Sequence, residues 1–199
     1  RGQDRQHPDR PRIATAGEPV RWHGSALGAQ VSIEIHHPDV AEARRLVEHS
    51  VLDVRRLEQQ FSLYRADSAI STLNRPGILV APDADMVALL KTSLSFAGIT
   101  GGAFDPTVQP LWQLHADHFA SDRPDPNGPS PHKLAETLAK VGHRGLLVSE
   151  DRIALTRRGA DIALNGIAQG YATDRVVDER RRAGWYAELG HVGEVRAVG

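Results

Sequence analysis

Residues 146–174 read LLVSEDRIALTRRGADIALNGIAQGYATD, and this stretch decides the fold class. Leu146–Ser149 and Arg152–Thr156 read as the two arms of a β-hairpin. Ala160–Leu164 reads as a further strand. Gly166–Ala183 then reads as a helix. Its Arg180-Arg181-Arg182 run sits at the negative end of the helix dipole, just before Gly184. Trp185–Leu189 and Val195–Val198 resume strand character. Strands and helices are mixed here without a regular strand–helix–strand alternation, which points to the α+β class.

Working outward, Ala26–Ile35 alternates, with Val31, Ile33 and Ile35 on one side and Gln30, Ser32 and Glu34 on the other. That is the period of a half-buried strand. His36-His37-Pro38-Asp39 turns the chain, and Asp39 with Glu42 makes a capping-box pattern ahead of a long amphipathic helix, Val40–Gln60. A second helix is predicted over Ala84–Gly98 behind Pro82-Asp83, with Val87, Leu90 and Leu94 facing inward. Phe61–Tyr64 and Ile78–Val80 read as short extended pieces. Ser121–Pro131, rich in Pro, Asp and Gly, reads as a loop, and Ser130 with Pro131 opens a helix that ends near Gly142. Arg1–Pro19 has no hydrophobic period and is expected to be a disordered leader (residues 1–19) ahead of one domain, 20–199.

The 199 residues carry 24 Lys+Arg against 25 Asp+Glu. That balance argues against a nucleic-acid binder, which needs a clustered basic surface. The absence of cysteine excludes a disulfide scaffold, a zinc ribbon and a thiol nucleophile. No apolar run approaches the roughly 20 residues that cross a bilayer.

Three segments carry candidate chemistry. In Thr100–Val108, Gly101 and Gly102 let backbone approach a ligand closely, and Asp105 is held between Phe104 and Pro106; the bland alternative is a capped turn before a helix starting at Pro106. Leu164–Tyr171 is a strand-to-helix transition, whose N–H groups suit an anion such as a diphosphate. In Phe61–Asn74, a short helix capped by Asp67 or Ser68 is the plain alternative. Other signals are weaker. His115, Asp117 and His118 cluster without an HExxH motif, His36 and His37 point to opposite strand faces, and no GxSxG elbow anchors a serine triad. Trp22, Trp112 and Trp185 default to core packing.

Taken in order, five motifs resemble the ApbE family, the FAD:protein FMN transferases. Leu27–Ile33 looks like that family's opening strand, and Phe61–Tyr64 followed by Ser68–Asn74 is similar to its second motif. Gly101–Leu111 is a close match to its most recognisable one. Asn165–Asp174 matches its helix start, and Gly193–Gly199 looks like its Gly-Gly-Asp-Ile-Arg strand. The resemblance covers about residues 22–199. It implies an α+β fold with a mixed, mainly antiparallel sheet packed with several helices, and transfer of FMN from FAD to a threonine of a partner protein, with Mg²⁺ required and AMP released. Leu27, Tyr64, Ala103, Phe104, Asp105, Asn165 and Tyr171 would then line the FAD site, with Asp105 accepting hydrogen bonds, and Ala168 would offer its carbonyl to the metal. No catalytic residue is assigned.

The departures from the family pattern are specific. Gln169 replaces a Lys, Val192-Gly193-Glu194 replaces Gly-Gly-Asp, and Ala163 replaces an Asp for which Asp161 is the candidate substitute. Gln169 and Glu194 resemble the NosX branch, which serves maturation of nitrous oxide reduction. The family continues beyond the position of Gly199 into a segment whose Asp and Thr complete the Mg²⁺ site, so the resemblance implies a truncated chain. It further implies an exported, periplasmic protein and an acceptor with a Ser/Thr-Gly-Ala-Ser/Thr type site, membrane-associated acceptors included. FAD pyrophosphatase activity and FAD binding without turnover are the alternatives.

Overall fold

The computed structural model describes residues 18–182, 188–192 and 195–198. Two antiparallel sheets and six helices build it, as the α+β reading expects. The first sheet begins with a hairpin of β1 (Val20–Ala26) and β2 (Ala29–Ile35). The single strand expected over Ala26–Ile35 is therefore corrected to two strands parted by a tight turn. The turn residues Leu27 and Gly28 both have positive φ, 53° and 77°. Leu27 carries none of the Asn or Asp chemistry that usually marks such a turn, so its sequence hides it. β6 (Glu188–Val192) pairs with β2 and β7 (Val195–Val198) with β6, giving the order β1-β2-β6-β7. Of the strand expected over Trp185–Leu189, Glu188 and Leu189 lie in β6, while residues 185–187 fall outside the described residues, as do the leader to residue 17 and Gly193-Glu194.

The second sheet has the order β3 (Ile78–Val80), β5 (Arg152–Leu155), β4 (Leu146–Val148), which contains the expected 146–156 hairpin. The strand expected over Ala160–Leu164 does not form. Ala160, Ile162 and Leu164 are buried, but among the described residues the segment has no neighbouring strand. Instead Asn74 brackets Ile162, with Nδ2 donating to the Ile162 carbonyl (3.0 Å) and Oδ1 accepting from its N–H (2.9 Å). A single parallel bridge joins Asp161 to Val108, and the Ala163 N–H donates to the Pro106 carbonyl at 2.9 Å. Buried polar backbone must find partners, and here a side chain and a loop supply them.

α1 (Val40–Phe61) starts at Asp39, whose Oδ1 accepts from the N–H groups of Ala41 and Glu42. The capping box is only half made, because Glu42 pairs with Arg45 and the Asp39 N–H donates to His37. Phe61 is the last residue of this helix and Ser62–Tyr64 turn, so the extended piece expected at 61–64 is absent. Ser68 caps α2 (Ala69–Asn74), and Asp83 caps α3 (Ala84–Ile99). α4 (Gln109–Phe119) begins three residues after Pro106, whose carbonyl is committed to Ala163. α5 (Pro131–Leu138) starts at Ser130 as expected, and α6 (Ala168–Arg182) follows the turn 165–167. Val31, Ile33 and Ile35 of β2 pack with Leu46, Val47, Val54 and Leu57 of α1 in one core that extends to Leu89, Leu90 and Leu164. Each such side chain contributes about 1.5–3 kcal/mol on burial. This core carries the turns that form the site. Among the described residues no helix is long and apolar enough to cross a membrane.

Candidate functional site

α3 ends where Gly101 and Gly102 take positive φ, 61° and 88°, and the Gly102 N–H closes back on the Ala97 carbonyl at 2.8 Å. A glycine end of this kind reverses the chain cheaply. It delivers Ala103, Phe104 and Asp105 to one wall of a cleft of about 530 Å³. Asn165 and Gly166, just before α6, form the facing wall. Phe104 lies edge-on to Phe96 at 6.3 Å and against Gly166, where an added Cβ would meet its ring at 3.7 Å. Trp112 and Leu111 of α4 and Leu138 and Val141 at the end of α5 close the apolar side.

Asp105 is fully engaged within the chain. Its Oδ1 accepts from the Thr107 N–H (2.8 Å) and hydroxyl (2.6 Å), and its Oδ2 accepts from the His143 N–H (2.8 Å) with His143 Nδ1 at 3.1 Å. Thr107 Oγ1 accepts in turn from the Gly142 N–H at 2.7 Å. Burial alone would push the Asp105 carboxyl up. The bonds from Thr107 and His143 outweigh that and hold it below the ordinary carboxylate value. Its hydrogen bonds thus pin the 101–105 loop to the 142–145 turn.

The β1–β2 turn forms a second cluster on the other flank of the α6 start. The Leu27 N–H donates to Glu58 Oε1 of α1 (3.2 Å), and Gln169 Nε2 donates to the Leu27 carbonyl (3.4 Å). Tyr64 lies over Gly28, so close that an added Cβ would come within 2.5 Å of its ring, while the side chain as a whole stays exposed.

The residues singled out from sequence therefore fall into three groups. Ala103, Phe104, Asp105 and Asn165 share the cleft. Leu27 and Tyr64 share the hairpin turn. Tyr171 faces away from both: its hydroxyl donates to Asp85 at 2.7 Å and its ring packs edge-on to Phe61 at 5.7 Å. Burial and the Asp85 carboxylate push the Tyr171 hydroxyl up from its ordinary value. Ala168 is buried in the first turn of α6, with its N–H on the Leu164 carbonyl. Asp161, the candidate substitute for the family's Asp, is not on the cleft that Ala163 lines. It lines a separate cleft of about 350 Å³ with Asn74, Gly77 and Arg157, and burial, opposed by Lys140, pushes its carboxyl up.

The His115–His118 cluster does not converge. His115 stacks on Phe119, His118 Nε2 contacts the Asp125 carbonyl and Asp117 accepts from Gln113. Among the described residues no three His, Asp or Glu side chains are grouped to hold a metal. Trp112 departs from its default: it is 58% exposed and lines the cleft, whereas Trp22 packs on the core. Sequence reading also missed Thr107, His143 and Asp85. The partners of Asp85 and of His143 lie far off in the chain, so no local sequence signal marked either residue.

The model of the ApbE family matches residues 27–199, and the cleft, the hairpin turn and the α6 start all lie within that span. The chain belongs to the ApbE family. It is 28% identical to an FAD:protein FMN transferase of Vibrio cholerae over 189 residues, which is 92% of this chain and 55% of that protein. It is 30% identical to one of Treponema pallidum over 149 residues, 69% of this chain and 39% of that one. The chain thus spans about half or less of these ApbE relatives. A single-residue variant of the Vibrio cholerae flavin transferase ApbE superposes with TM-score 0.79 at 25% identity, covering 92% of this chain and 63% of that one. The apo form of Pseudomonas stutzeri flavinyl transferase ApbE gives 0.75 at 25% identity, covering 92% and 59%.

Proposed function

We propose that this chain binds FAD in the 530 Å³ cleft and serves an FAD:protein FMN transferase reaction. The observation that carries the reading is that Ala103–Asp105 and Asn165-Gly166, from two separate segments that resemble family motifs, line one cleft just before α6. A helix start favours phosphate through its unpaired N–H groups and dipole. Phe104, Trp112 and Leu138 supply the apolar surface that a flavin or adenine ring requires.

The finer reading is a displacement at phosphorus. A threonine oxygen of the acceptor attacks the FMN phosphorus, the bond from that phosphorus to the oxygen of AMP breaks, and AMP leaves with the electron pair. The threonine proton goes to solvent, and no side chain here is assigned as its acceptor. What the chain itself contributes is orientation: Asp105 fixes the Phe104 loop, and Gln169 ties the α6 start to Leu27.

Mg²⁺, which the family resemblance implies, is not matched by the donors described. Asp105 has spent both oxygens, Asp161 lines another cleft, and the Ala168 carbonyl points down α6 from its positive end. No step is derived through the metal. The same donor set favours FAD binding without turnover as the second reading.

The proposal extends to an exported protein of the NosX-like branch. Its acceptor would carry a Ser/Thr-Gly-Ala-Ser/Thr type site and would include membrane-associated proteins. The test is to incubate the chain with FAD, Mg²⁺ and a threonine-bearing acceptor peptide, then measure covalent flavin and released AMP. Flavinylated peptide with AMP supports transfer, and AMP alone supports FAD hydrolysis. Bound FAD without AMP supports the binding module, and no bound FAD refutes the reading of the cleft.

A further inference from the structure

Asp85, in the first turn of α3, lies outside the cleft and joins three helices. Its Oδ2 pairs with Arg56 Nη2 of α1 at 2.7 Å. Its Oδ1 accepts from the Tyr171 hydroxyl at 2.7 Å and lies 2.8 Å from Arg175 Nε, both on α6. The Arg175 contact is a charge pairing without aligned hydrogen-bond geometry. The Asp85 side chain is only 8% exposed. A buried ion cluster of this kind contributes little net stability against a well-packed apolar alternative, because desolvation offsets the Coulomb gain. Stability alone therefore does not account for three partners converging on one carboxylate.

What the cluster does control is the placement of α6. Tyr171 is in the first turn of that helix, its N–H closing on the Ile167 carbonyl at 3.0 Å, and Arg175 lies one turn further. At this end the Tyr171 ring also packs on Phe61, and Gln169 adds a long bond to the Leu27 carbonyl. Arg56 stands on α1 two residues before Glu58, which holds the Leu27 N–H. One carboxylate thus links the helix that carries the hairpin turn to the helix that carries the cleft wall.

We propose that Asp85 is a positioning residue that sets Asn165 and Gly166 against the Phe104 loop. Its effect on ligand affinity rests on the reading of the cleft as the FAD site; its effect on the backbone does not. The test uses the full chain and three variants. Asp85→Asn removes the carboxylate, Tyr171→Phe removes one bond while keeping the ring, and Leu79→Ala, in β3 and packed on the same core, lowers stability away from the cleft.

Two readouts are taken at a temperature where circular dichroism finds each variant folded. These are hydrogen–deuterium exchange of the 165–170 amides, and the Kd for FAD by fluorescence titration. Exchange at 165–170 is expected to rise about tenfold in Asp85→Asn and about threefold in Tyr171→Phe, with Kd raised in parallel and Leu79→Ala unchanged in both. Unchanged exchange in Tyr171→Phe, or an equal rise in Leu79→Ala, overturns the positioning role. Should Asp85→Asn fail to fold, Tyr171→Phe decides. Wild-type chain that binds no FAD refutes the function of the cleft, while the exchange data still judge Asp85.

Discussion

Replacing Asp105 by Asn tests whether this motif carboxylate acts on ligand or on its own chain. The side chain is 11% exposed and accepts from Thr107 N, Thr107 Oγ1 and His143 N at 2.6–2.8 Å. Asn keeps one carbonyl oxygen, which can stay with Thr107. Its amide group then faces the His143 N–H, donor against donor, and that partly buried N–H loses its acceptor. An orphaned buried donor costs about 1–3 kcal/mol, and losing the charge on the Thr107 side adds about 1 kcal/mol, so the expected loss is about 3 kcal/mol. For a chain of this size that lowers Tm by roughly 6–12 °C.

The sign of the pH dependence follows from the depressed carboxyl. Stability from Asp105 is present above the ordinary value of 3.8 and is lost as pH falls through the lower folded value, so wild type and variant converge in acid. Urea unfolding followed by circular dichroism at pH 7 and pH 3 measures both points. A loss under about 1 kcal/mol at neutral pH, or an undiminished difference at pH 3, refutes the clamp.

Two further outcomes are expected. Gly28→Ala forces a side chain to φ +77° and displaces Tyr64, so it should destabilise by about 1–2 kcal/mol and weaken FAD binding; unchanged affinity by titration counts against the hairpin turn as part of the site. Glu179→Gln should raise Tm at pH 7. Burial and the neighbouring Asp53 hold this carboxyl above its ordinary 4.5 despite Arg175, so its charge opposes folding above that pH, and the gain should vanish in melts run below it.

Local chemistry made much of the fold legible. Asp39, Ser68, Asp83 and Ser130 each cap the helix that their position suggests, because a cap needs only the next two or three residues. Ala160–Leu164 was misread as a strand, since its apolar residues are buried as a strand's would be while the backbone partner of Ile162, Asn74, lies 88 positions away. The β1–β2 turn was hidden because Leu27 takes a positive φ that its side chain does nothing to advertise. The motif segments were found. What their residues do was less legible, because Tyr171 and Asp105 take partners 86 and 38 positions distant that no motif contains.

That last point bears on how the family motif is to be understood. Asp105 lines the cleft, and its two oxygens are engaged by Thr107 and His143, so the carboxylate sets the shape of the loop. The surface left for a ligand is then apolar on one side, from Phe104, Trp112, Leu138 and Val141, and polar only at Asn165-Gly166 and the helix start. Of these, Trp112, Leu138 and Val141 belong to none of the residues carried over from the motifs. Motif residues thus account for the hydrogen bonds that shape the cleft, and on the proposed function α4 and the end of α5 would supply its contacts to a ring. Under that proposal, Trp112→Ala, at a residue 58% exposed on the cleft, is expected to weaken FAD binding in a fluorescence titration while leaving the Asp105 hydrogen bonds intact, and unchanged affinity would refute the role given to α4.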